Sequence, residues 1–225
     1  MKIRAYAKVN LALDVVRKRE DGYHDLEMIM APITLHDLIY IEKIDHGIQI
    51  TANTNRMPTD QRNIMYKVAQ LLIERYQIPY GVKIHIYKHI PTQAGLAGGS
   101  ADGAAVLKAM NQIFQLNLSL ETLADIGKEV GADIPFCIYE KTKKSVVCLF
   151  RYISKDFHCY VLLVKPKKGV STKKSFGMLD LKNAEHPPIM DMKEAIENND
   201  YQGVVKCLGN TLEEPSLKIV PDILK

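Results

Sequence analysis

Residues 91–105 read PTQAGLAGGSADGAA, a loop of glycine and other small residues that runs into a helical pattern yet carries no lysine. The Walker A pattern G-x-x-x-x-G-K-[ST] is absent, because Gly99 is followed by Ser100 and Ala101. Gly95, Gly98 and Gly99 let the backbone bend until successive N–H groups converge, and Ala94, Ala97 and Ala101 leave room for an anion to approach. Those amides are expected at the N-terminus of a helix beginning near Ser100, where the macrodipole and the unpaired donors both favour negative charge. Backbone donors can therefore stand in for the missing cation. The Ser100 hydroxyl suits a helix cap, a phosphate or a magnesium ion. Tight packing alone also explains a Gly/Ala-rich turn, so the flanking sequence has to decide.

Working outward, Val82, Ile84 and Ile86 alternate with Lys83, His85 and Tyr87, a half-buried strand that delivers the chain to Pro91. Upstream of it Ile64, Val68, Leu71, Leu72 and Tyr76 fall at helical spacing, and downstream of the loop Ala104, Ala105, Leu107, Met110, Ile113 and Phe114 make a second buried helix face. Ser119 is placed to cap a third helix that ends at Gly131. GADIPFCIY, residues 131–139, reads as an apolar strand with Ile134 held extended by Pro135. At the start of the chain Ile3, Ala5, Ala7, Val9, Leu11, Leu13 and Val15 alternate without a break, which puts Tyr6, Lys8, Asn10, Ala12 and Asp14 together on the opposite strand face. DGYH, residues 21–24, is a turn, and residues 26–35, 38–44, 47–52, 145–153 and 159–164 are strand-like. Helical patterns return at 189–198 and 201–212. A boundary is expected at residues 154–157, giving domains of 1–154 and 155–225 in an α+β protein with largely antiparallel sequential pairing.

Composition narrows the classes. The 225 residues are 47% hydrophobic and 25% charged, as in ordinary globular proteins, and no apolar run approaches the roughly 18 residues of a membrane span. The opening MKIRAYAKVN has no secretory h-region, so a cytoplasmic location is expected, with no membrane partner. Cys137, Cys148, Cys159 and Cys207 form no C-x-x-C pair and read as reduced thiols. Net charge is +4, with lysines gathered at 141–144 and 165–174, a solvated face or an attractor of anionic substrate. No aromatic residues interleave with them as a nucleic-acid platform requires.

Four stretches taken in order, AKVNLALDV (7–15), DGYHDLEM (21–28), PTQAGLAGGSADGAA and GADIPF (131–136), resemble the GHMP family of small-molecule kinases. The resemblance is strong to residue 139 and patchier beyond it. It implies a two-domain fold, a ribosomal-protein-like N-terminal domain followed by a ferredoxin-like C-terminal one, and an ATP-dependent phosphotransferase. DGYH resembles the cytidine-recognising branch in particular, which implies a cytidine diphosphate conjugate of methylerythritol as substrate, phosphorylated on its 2-hydroxyl in non-mevalonate isoprenoid synthesis. By the resemblance Asp133 is the base toward the substrate hydroxyl, Lys8 orients it and offsets developing charge, and Asn10 holds the hydroxyl in line. Tyr23 and Phe176 are implied to sandwich the cytosine, His24 to bond its edge, and Thr172 to contact the substrate. Asn63 and Lys88 are implied to approach the nucleoside of ATP, and Pro91, Ala94, Gly95, Leu96, Ala97, Gly98, Gly99, Ser100 and Ala101 to wrap its phosphates, with Mg2+ at Ser100. The working state is expected to be a monomer or homodimer.

Two departures stand out. After GADIPFCIYEKT the family's glycine-containing turn is replaced by KKSVVCLFRYISK. The family's third, GSGPT-type motif is not reached before IVPDILK, so an incomplete second domain with an uncovered edge is expected. A non-catalytic binding relic and a kinase for another alcohol, such as homoserine or mevalonate, are the alternative readings.

Overall fold

The computed structural model describes residues 1–139, 143–146, 149–152 and 158–224. Lys141, Cys148 and the expected boundary at 154–157 lie outside them. In chain order the elements are β1 (Lys2–Lys18), β2 (His24–Ile44), β3 (Ile48–Ala52), α1 (Ile64–Arg75), β4 (Gly81–Tyr87), α2 (Gly98–Ile113), α3 (Leu120–Val130), α4 (Ile134–Tyr139), β5 (Lys143–Val146), β6 (Leu149–Tyr152), α5 (Thr172–Gly177), α6 (Ile189–Glu197), α7 (Tyr201–Lys206), β7 (Gly209–Asn210) and α8 (Glu213–Ile219). The chain forms two compact units, one of Met1–Lys8, Pro32–Thr92 and Leu96–Glu140, the other of Val9–Ala31, Gln93–Gly95 and Lys141–Lys225.

In the first unit β4 pairs with β2 antiparallel from Leu38 opposite Tyr87 to Ile44 opposite Gly81, and with β3 in parallel. The alternation read from the sequence is real: Val82, Ile84 and Ile86 have no exposed surface, whereas Lys83 and Tyr87 face water. Helix α2 packs on α1 and α4, and α3 packs on α4. Two glycines make this packing close. A Cβ on Gly103 would lie 2.7 Å from Ile64 Cγ2, and one on Gly127 would lie 2.4 Å from Ile134 Cγ2, inside any tolerable contact. Asn63 caps α1 through Met65 N, and Ser119 caps α3 through Thr122 N, with Gly131 at its end.

In the second unit Ala12 and Leu13 of β1 run parallel to Gly209 and Asn210 of β7, and Glu27–Met30 of β2 pairs antiparallel with β5, which pairs antiparallel with β6. Its core gathers Ala12 and Ile29 under Ile189, Met192, Ile196 and Val204 from α6 and α7. Thr211 ties the unit together, accepting from Val15 N and donating to Asp14.

Several expectations are corrected. The stretch 131–139 is helical from Ile134, not a strand. Pro135 is tolerated because the second residue of a helix has no intrahelical partner for its N–H. Residues 26–35 and 38–44 form one strand, since the polar pair His36–Asp37 is a satisfied strand segment instead of a turn. Helix α2 begins at Gly98, two residues before Ser100, which therefore is not its cap. The pattern at 201–212 divides into α7 and β7. Residues 159–164 carry no regular structure, and Tyr160, Leu162 and Val164 are almost fully exposed. A strand needs a neighbour to accept its ladder hydrogen bonds. Two of the strand pairings, β3 with β4 and β1 with β7, are parallel.

Candidate active site

The glycine loop is built on alternating backbone hands. Gln93, Gly95 and Ala97 all have φ between +53° and +72°, so two non-glycine residues sit in the left-handed region at a cost of about 1 kcal/mol or more each. Alternation of this kind turns successive N–H groups toward one concavity. Ala97 is the N-cap of α2 and offers no side-chain acceptor, and no acidic residue lies in the first helical turn. The first intrahelical bond runs from Ala101 N to Ala97 O, so the amides of Gly98, Gly99 and Ser100 are not consumed inside the helix. Gly95 and Gly99 are exposed and Gly98 is half-buried, which leaves this end of the 16-residue helix open to an anion.

Beside the loop stands a lysine–aspartate pair. Lys8 is 4% exposed in β1, and its Nζ lies 3.9 Å from Asp133 Oδ2, whose side chain is 37% exposed. The lysine backbone is anchored to the loop itself, Lys8 N donating to Leu96 O over 3.2 Å. Asp133 closes the turn between α3 and α4, where its carbonyl accepts from Cys137 N at 3.2 Å. Ser100 reaches the same corner, because a Cβ built on Gly131 would lie 3.8 Å from its Oγ. A held cation, a water-accessible carboxylate, a hydroxyl and a row of free amides thus converge within one unit. Among the described residues no group of three His, Cys, Asp or Glu is arranged to hold a metal. A Mg2+ ion carried by nucleotide phosphates needs only one or two protein oxygens, and the Ser100 hydroxyl fits that need.

The two residues expected at the nucleoside have internal partners. Asn63, 7% exposed, spends its Oδ1 on the α1 cap and donates its Nδ2 to Pro58 O at 2.6 Å. Lys88 is sunk between two carboxylates, bonded to Asp37 and, at 2.7 Å, to Asp102. Burial drives the Asp102 carboxyl up to about 8 against the pull of Lys88. Burial also works against the Lys88 charge, yet Asp102 and Asp37 more than offset it and raise the ammonium above its usual value. Sequence reasoning missed both aspartates. The signal for Asp37 was present, since it shares its strand face with the buried Ile39 and Ile41. Asp102 gave less, a lone charge among small residues of a buried helix face.

The residues read as substrate contacts lie in the second unit. The ring of His24 stacks on Phe176 with centroids 5.0 Å apart and planes at 27°. Tyr23 is 73% exposed on the preceding turn, which Arg19 and Asp21 fasten through Arg19 N to Tyr23 O and Tyr23 N to Asp21 Oδ1. Burial and then the charge of Lys18 hold the His24 imidazole below its usual value, so it is neutral at neutral pH. Thr172 is exposed at the start of α5, and Asn10 is half-buried in β1.

Comparison with known proteins follows the same lines. Residues 63–141 match the GHMP kinases N terminal domain. A 4-diphosphocytidyl-2-C-methyl-D-erythritol kinase of Bacillus subtilis is 44% identical over 223 residues, which cover 98% of this chain and 77% of that one. The crystal structure of a 4-(cytidine 5'-diphospho)-2C-methyl-D-erythritol kinase superimposes with a TM-score of 0.79 at 28% identity, covering all of this chain and 80% of the other. A homoserine kinase from Cytophaga hutchinsonii shares the fold, with a TM-score of 0.65 at 17% identity over 97% of this chain and 75% of its own.

Proposed function

The chain belongs to the GHMP kinase family, beside the 4-diphosphocytidyl-2-C-methyl-D-erythritol kinases, and we propose from this that it transfers the γ-phosphoryl group of ATP to the 2-hydroxyl of 4-diphosphocytidyl-2-C-methyl-D-erythritol, a step of non-mevalonate isoprenoid synthesis. The observation that carries the proposal is the Lys8–Asp133 pair fastened by Lys8 N to the loop of free amides. Phosphoryl transfer asks the protein for positioning and for charge stabilisation, and asks little covalent chemistry of it.

The roles proposed here join the family resemblance to the geometry of the site. Asp133 takes the proton of the substrate hydroxyl through its exposed carboxylate. The hydroxyl oxygen bonds to the γ-phosphorus as the bond from that phosphorus to the β-phosphate oxygen breaks, which releases ADP. Lys8 holds the carboxylate in place and meets the negative charge that develops on the transferring group. The amides of Gly98, Gly99 and Ser100 receive phosphate oxygens, with Pro91, Ala94, Gly95, Leu96, Ala97 and Ala101 shaping the cradle. The Ser100 hydroxyl would hold a Mg2+ ion, which would supply neutralisation of the phosphate charge. Asn10 orients the accepting hydroxyl. Tyr23 and Phe176 supply faces for the cytosine, Thr172 a polar contact, and neutral His24 offers one donor and one acceptor to the base edge.

The substrate assignment is tested by product analysis with radiolabelled ATP and three alcohols in parallel. Label in 4-diphosphocytidyl-2-C-methyl-D-erythritol, and competition by CDP, is the expected result. Label in mevalonate or homoserine instead would assign the chain to another branch of the family.

A further inference from the structure

A phosphate loop without a lysine in front of it still needs its two ends held at a fixed separation, because the amides converge only at one spacing. Strand β4 enters the loop at Lys88–Ile90 and α2 leaves it at Gly98. Both ends close on one buried cluster. Asp37 of β2 has no exposed side-chain surface. Its Oδ1 accepts from His89 N at 2.5 Å and Ile90 N at 2.8 Å, and its Oδ2 accepts from Lys88 Nζ. The same ammonium donates to Asp102, the fifth residue of α2, at 2.7 Å. It also sits directly behind the helix start, since a Cβ built on Gly98 would lie 3.4 Å from Lys88 Nζ and 3.0 Å from Ile90 Cγ2.

We propose that Lys88, Asp37 and Asp102 are positioning residues for the glycine loop, a buried clamp that pins the strand entering the loop to the helix leaving it and so sets the cradle in which the amides meet phosphate. In this role Lys88 works from behind the loop, through its two carboxyl partners. The arrangement explains why an ammonium is tolerated behind a helix N-terminus, whose unpaired N–H groups repel positive charge, because Asp37 and Asp102 each offer it an acceptor oxygen. The buried Oδ1 of Asp102 has no hydrogen-bond partner among the described residues, and the carboxyl is held through its other oxygen, which accepts from Lys88.

This inference rests on reading the loop as the nucleotide cradle, and the test separates the two. Amide hydrogen exchange at residues 96–101 and ADP affinity by titration calorimetry are measured for the wild type, Lys88→Met, Lys88→Arg, Asp102→Asn and the Lys88→Met/Asp102→Asn double variant. The clamp predicts that Lys88→Met speeds exchange at 96–101 at least tenfold and weakens ADP at least tenfold, while β3 and α3 change less than threefold. It further predicts that the double variant is no worse than Lys88→Met, and that Lys88→Arg recovers part of both losses. Lost ADP affinity with unchanged loop exchange would make Lys88 a direct ligand and overturn the clamp. An equal rise in exchange across the whole unit would reduce the cluster to ordinary core. A wild type that binds no ADP overturns the nucleotide reading instead, and the exchange pattern then decides the clamp independently.

Discussion

At the residue scale the chemistry turns on groups whose surroundings differ sharply. Lys8 is buried and Asp133 half-open, 3.9 Å away, so the cation is fixed and the base can be reached. Asp133→Asn is expected to lower kcat by about 10²–10⁴-fold with ATP affinity unchanged, read by steady-state rates beside calorimetry. Asp102 makes a pH prediction. Its folded value of about 8 lies above the 3.8 of an unperturbed carboxyl, so the folded chain keeps a proton that the unfolded chain has lost. The stabilisation this brings is complete below the lower value and fades as pH rises through the upper one. The urea midpoint of the wild type should therefore decline relative to Asp102→Asn between pH 5 and 8 and level off above, whereas parallel lines would remove the buried proton. For His24, held neutral, CDP affinity should stay flat across neutral pH and fall only on acidification below the ordinary histidine range.

At the scale of elements, close approach decides stability. Gly127 lets α3 meet α4, and a methyl group there collides with Ile134. Gly127→Ala is expected to destabilise by about 1–3 kcal/mol in urea titration, and an unchanged midpoint would show that α4 simply moves aside. The elements also show what the sequence could express. Alternation at 82–87 and capping at Ser119 are local signals, and both elements formed where the local chemistry put them. The helix at Ile134–Tyr139 went unread because six apolar residues have no clear period, and Pro135 argues for a strand unless it falls in a first turn, where its missing N–H costs nothing. The run at 159–164 has the composition of a strand, but composition does not supply the neighbour a strand needs.

At the scale of the molecule, the four stretches that resemble a kinase are divided between units that interleave along the chain. Lys8, Ser100 and Asp133 fall in one unit, Asn10, Tyr23, His24 and Phe176 in the other, and the change occurs within β1 after Lys8. The glycine loop stood out in the sequence by its pattern, whereas Lys8, Asn10 and Asp133 were singled out through the family resemblance. The clamp behind the loop was not legible, since Asp37, Lys88 and Asp102 are separated by 51 and 14 residues and meet only through β2, β4 and α2. The chain covers 77% of its Bacillus subtilis relative. The most direct test mixes the 225-residue chain with Mg2+, ATP and 4-diphosphocytidyl-2-C-methyl-D-erythritol and follows ADP release beside the Asp133→Asn variant. Substrate-dependent release that the variant abolishes is the predicted result, and equal release from both proteins would contradict the role given to the Lys8–Asp133 pair.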